Sequence, residues 1–195
     1  MNKLLLFLLT LALASCGSIQ ASSTGPTGSL ASSTGSLTNI SPTSCHTRGT
    51  GLYALPDPQC TPGATNPNVT QANIQSTICK SGWTSTVRPP ESVTEHEKYL
   101  SMAQYGYPSS MAGQLEYDHL IPLELGGATN SYLNLWPEID YPHAQGFDHN
   151  PKDELEYRMR QAVCSGKISL AEARQEIATN WVSAYDKYVG GNKTS

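Results

Sequence analysis

Apolar and polar positions repeat with two different periods along this chain. Leu115-Glu116-Tyr117-Asp118 alternates, which predicts a strand, and Leu133 to Trp136 reads as a second short one. Elsewhere the spacing is helical. Val69, Ala72 and Ile74 to Ile78 predict a short helix. Thr94-Glu95-His96-Glu97 fits a capping box, so a helix is expected from there to Tyr105, with Gly106 as its stop. Asn150-Pro151 reads as an N-cap followed by proline at the first helical position, and Leu155, Met159, Ala162 and Val163 then share one face. Ser169-Leu170-Ala171-Glu172 is another capping box. It opens a helix striped by Ile177, Trp181, Tyr185 and Tyr188 and ended by Gly190. Two strands among several helices predict an α+β domain.

The first 44 residues follow neither period. Leu4 to Ala14 is an apolar run behind Lys3, too short to span a bilayer and matching the apolar region of a secretory signal. It closes on Leu13-Ala14-Ser15-Cys16, which resembles the bacterial lipobox. That resemblance implies cleavage before Cys16 and lipid on its sulfur, anchoring the protein to a membrane. The competing reading is an ordinary signal peptide cut near Ala14. Gly17 to Ser44 carries no charge, is almost wholly Ser, Thr, Gly, Ala and Pro, and repeats Ala-Ser-Ser-Thr-Gly at 21 and 31. Such a segment buries too little apolar surface to offset its ordering entropy and should act as a tether. The expected organisation is a signal peptide over 1–15, lipidated cysteine and tether over 16–44, a domain over 45–190 and a tail over 191–195.

Composition agrees with export. Charged residues are 14% of the chain, with 16 Gly and 13 Pro, which excludes a coiled coil and points to a loop-rich exported protein. The net charge of −4 argues against a sequence-specific DNA-binding domain, which is usually basic. Four cysteines remain after Cys16: Cys45, Cys60, Cys79 and Cys164. An even number in an exported chain favours two disulfides. Of three connectivities, Cys45–Cys60 with Cys79–Cys164 is preferred, closing a local proline-rich loop and joining distant elements. No Cys-x-x-Cys pair supports zinc.

The chemistry concentrates in Glu116 to Asp153. Glu116-Tyr117-Asp118-His119-Leu120-Ile121-Pro122-Leu123-Glu124-Leu125-Gly126-Gly127 runs on to Leu133-Asn134-Leu135-Trp136-Pro137. This resembles the HNH, or His-Me finger, nuclease motif. The resemblance implies a ββα-metal core: a hairpin and a helix around one divalent ion, Mg²⁺ or a substitute such as Mn²⁺. It makes His119 the general base, Asn134 the residue that orients it, and Asp118 a metal ligand. The helix-side ligand is open among Asn150, His149 and His143, taken in that order, because Pro137, Pro142 and Gly146 suggest an inserted loop. Asp153 could act through water. Cys60-Thr61-Pro62-Gly63, Gly82-Trp83-Thr84, Val87-Arg88-Pro89-Pro90, Cys164-Ser165-Gly166 and Asn180-Trp181 extend a similarity to exported bacterial proteins of HNH type.

These residue types suit phosphodiester hydrolysis. A neutral imidazole takes a proton from water near pH 7, and a hard cation held by one or two carboxylates stabilises the leaving oxygen. Adjacent strand residues diverge, so Asp118 and His119 can share a site only where the strand becomes irregular. Charge is the main objection. Glu116 to Glu156 holds nine acids and one base, Lys152, a net of −8. Phosphate contact is therefore expected from Arg158, Arg160 and Arg174 on the flanking helices, with Arg88 a further candidate, giving modest, salt-sensitive, sequence-independent binding of nucleic acid. Two functions stand: a metal-dependent nuclease acting on DNA or RNA outside the cytoplasm, or a non-catalytic lipoprotein that uses the fold to bind a partner.

Overall fold

The structure is a computed structural model that describes residues 45–140 and 150–190. Cys16, the tether, His143 and His149 lie outside them. Helices dominate: α1 (Trp83–Val87), α2 (Glu91–Gln104), α3 (Pro151–Cys164) and α4 (Leu170–Tyr188). The strands β1 (Leu115–His119) and β2 (Leu135–Ile139) form one antiparallel pair. The described chain is thus mixed helix and strand.

Helices α3 and α4 supply most of the core. Leu155, Met159 and Val163 on α3 and Ala173, Ile177 and Trp181 on α4 are fully buried in one cluster. Trp181 also donates its indole N–H to the Ala54 carbonyl at 3.0 Å and stacks on Tyr53, so the proline-rich segment closes over this core. Both expected disulfides are present. Cys45–Cys60 pins that segment locally, and Cys79–Cys164 ties the chain just before α1 to the end of α3. No described helix is long and apolar enough to cross a membrane.

Several boundaries differ from expectation. Helix α2 begins at Glu91, directly after Pro90 at the N-cap, three residues before the expected Thr94. The proline pair sets the start, and the Thr94 hydroxyl bonds back to the Glu91 carbonyl inside the helix. The segment expected as a helix over 69–78 is a 3-10 turn over Gln71–Ser76. Strand β2 lies two residues later than expected and contains Pro137, opposite Tyr117. A two-stranded sheet has a free edge on each strand, where the missing N–H of proline costs no ladder bond. The N-caps at Asn150 and Ser169 are as expected, and Gly106 adopts φ +73° just past α2.

Candidate functional site

The hairpin connection positions the site. Gly126 takes φ +67°, which favours glycine, and Gly127 has no room for a side chain: a Cβ there would lie 1.8 Å from the Ile121 carbonyl oxygen. This fold-back is held by Asn134, which is fully buried. Its carboxamide oxygen accepts from the Ile121 N–H at 2.9 Å. Its NH₂ donates to the Ile121 carbonyl at 2.9 Å and the Ala128 carbonyl at 3.1 Å. Asn134 therefore orients the connecting loop, and through it the residues that touch His119.

His119 ends β1 and is 4% exposed. Its Nε2 lies 3.0 Å from the Thr129 carbonyl oxygen, one residue beyond the Ala128 carbonyl that Asn134 holds. A carbonyl only accepts, so this contact assigns the proton to Nε2 and leaves the lone pair on Nδ1. Burial pushes the imidazole below its ordinary pKa, against the opposing charge of Asp118, so the ring is neutral at pH 7. Asp118 and His119 line one cleft of about 580 Å³ together with Arg88, Glu124, Asp153, Glu156 and Tyr157. Adjacent residues at the end of β1, both within its paired register, thus line one cleft.

The register explains a second, buried feature. Glu116 faces Glu138 across the strands, and Asp118 faces Trp136. By alternation Glu116, Asp118 and Glu138 share a sheet face. Like charges so placed are destabilising, and the structure relieves them in two ways. Burial first, then Asp118 and Glu138, pushes Glu116 up to about 10, and burial also holds Glu138 well above the carboxylate range. The second relief is Lys152. It is 1% exposed on the first turn of α3, and its Nζ pairs with Asp118, with Glu156 at 2.6 Å and with Glu138 at 3.4 Å. Burial would raise Asp118, but the ammonium and His119 outweigh it and hold that carboxyl below its usual range. Glu156 rises to about 8 through burial, against Lys152.

The remaining expected residues divide sharply. Arg88 lines the cleft. Arg158 does not; it is half exposed and pairs with Glu154 at 2.7 Å. Arg174 donates to the Leu125, Val69 and Gly126 carbonyls, and Arg160 to the Ile78 carbonyl, so both clamp the fold. Asn150 is the α3 N-cap: its side-chain oxygen accepts from the N–H groups of Lys152 at 2.8 Å and Asp153 at 3.0 Å. Asp153 returns the bond to the Asn150 N–H.

A divalent ion does not fit the described donors. Among the described residues no group of three His, Cys, Asp or Glu is gathered to hold one. The Asp118 carboxylate is paired with Lys152, and the Asn150 oxygen is engaged by the helix. Sequence reasoning missed Lys152, although a single base in an acid-rich run was its signal. No protein-family model, no curated protein and no solved structure matches the chain.

Proposed function

We propose that this protein is an exported phosphodiesterase of the His-Me finger type that cleaves DNA or RNA without sequence preference. The observation that carries this reading is His119: a buried, neutral imidazole with its Nε2 proton on a carbonyl, in a cleft shared with Asp118 and Arg88. In this reading Nδ1 of His119 takes the proton of the attacking water as the new oxygen–phosphorus bond forms and the bond from phosphorus to the leaving ester oxygen breaks, that oxygen taking a proton from solvent. The Arg88 guanidinium holds the substrate phosphate, offsetting the acidic rim. Asn134 and the glycine pair keep the loop, and so the Thr129 carbonyl, in register with the ring. Lipid on Cys16 would place the enzyme at a membrane surface, with the tether giving it reach. The two disulfides are compatible with an extracellular or exported setting.

The test is incubation of the purified full chain with plasmid DNA and with RNA, in Mg²⁺, in Mn²⁺ and in chelator, beside His119→Ala. Cleavage by wild type that is lost in His119→Ala supports the assignment. No cleavage of either nucleic acid under any of these conditions would transfer the reading to a non-catalytic binding protein.

A further inference from the structure

Lys152 occupies an expensive position. Its side chain is 1% exposed, and its charge sits in the first turn of a helix, where the backbone dipole disfavours a cation. Helix propensity gives no reason for a lysine there. The reason lies across the space it fills. Asp118 comes from β1, Glu138 from β2 and Glu156 from the next turn of α3, and all three carboxylates converge on one Nζ. The Asn150 cap and Pro151 fix the start of α3, which delivers the ammonium to the hairpin.

Three side-chain carboxyls from three elements meet on one ammonium, which stands where a hard cation would compete for them; with the lysine in place they do not gather into an ion-binding group. An ion bound to the same Asp118 oxygen would stand close to Nζ, cation against cation, beside an ammonium that is itself buried. We propose that the Lys152 ammonium is the resident cation of this site, and that a divalent ion reaches Asp118 only by displacing it. Lys152 does not line the cleft, so it touches no substrate. It is a positioning residue that fixes the carboxylate beside His119 and joins both strands to α3. The inference deepens the proposed function, resting on it only in taking Asp118 as the carboxylate of the site.

The experiment needs no nucleic acid. Mn²⁺ is titrated into the full-length oxidised chain, free Mn²⁺ being read by electron paramagnetic resonance, and melting is followed with and without the ion. Wild type and Asp118→Asn should give superimposable isotherms and melting temperatures that Mn²⁺ does not raise. Lys152→Met uncovers the carboxylates and should bind Mn²⁺ about 100-fold more tightly than wild type, the scale on which ligand charge tunes such sites. Its melting temperature should rise with Mn²⁺, and both gains should vanish in Lys152→Met combined with Asp118→Asn. Tight binding by wild type that Asp118→Asn abolishes would overturn the proposal, as would a folded Lys152→Met that gains no Mn²⁺ affinity. If Lys152→Met does not fold, the comparison of wild type with Asp118→Asn decides alone. Failure of the phosphodiesterase reading would appear separately, as absence of cleavage by a protein whose ion binding is as described.

Discussion

Replacing Asn134 should separate a loop clamp from an ordinary core side chain. The fully buried carboxamide makes three hydrogen bonds, one accepted from Ile121 and two donated to Ile121 and Ala128. Each buried backbone group left without its partner costs about 1–3 kcal/mol, so losing all three in Asn134→Ala should cost about 3–9 kcal/mol in total. That is a large part of the 5–15 kcal/mol by which domains are ordinarily stable, roughly stated. Asn134→Asp is the sharper probe because its shape is the same. The introduced carboxylate still accepts from the Ile121 N–H, but it faces two carbonyl oxygens where the amide donated. Its ionised form is disfavoured in the folded state, so its folded pKa lies above the unfolded value. The folded variant therefore binds the extra proton, and its deficit relative to wild type should shrink as pH falls from 8 to 5. Urea unfolding of both proteins at the two pH values measures this. A deficit below about 0.5 kcal/mol at pH 8, or one that grows on acidification, would refute the donor role of Asn134.

His119→Ala should lower the cleavage rate by about 10²–10⁴-fold, and the wild-type rate should fall on acidification with a midpoint below the ordinary histidine value, because burial depresses the ring and only its neutral form accepts a proton; a pH–rate profile checks both. Arg88→Ala should raise KM more than it lowers kcat and reduce the slope of log binding against log salt by about one unit, measured by titration of labelled oligonucleotide. Replacing both Cys79 and Cys164 by serine should cost about 4.6 kcal/mol from the 85-residue separation, against about 3 kcal/mol for Cys45 and Cys60 at 15, as compared by urea unfolding.

What was legible in the chain depended on how local its cause was. Asn150-Pro151 and Ser169 announce their helices because a cap is made by neighbours three residues apart. Gly126-Gly127 is legible as a glycine pair within the motif, but its second glycine is required by the Ile121 carbonyl across the loop, a contact that no local pattern shows. The pattern places the second strand at Leu133 to Trp136 and assigns Pro137 to an inserted loop, because nothing local says that β2 has a free edge. Thr94 mimicked a helix start that the preceding proline pair had already made. At the site, Asp118 and His119 were legible through their motif, whereas Arg160 and Arg174 resembled phosphate contacts until their carbonyl partners were known. Lys152 draws its role from three carboxylates as far as 34 residues away in sequence, and only the folded register assembles them.

The Cys79–Cys164 bridge encloses α1, α2, the whole hairpin and all of α3 within one covalent loop. A protease that cuts this loop once, at any point between the two cysteines, severs the backbone without releasing a fragment. The two pieces stay joined through sulfur, with His119 and Lys152 on covalently linked segments even when the cut falls between them. On a gel the nicked protein would run as one species until reductant is added. In the exported setting proposed above, that would convert a single cleavage from dismemberment into a scar.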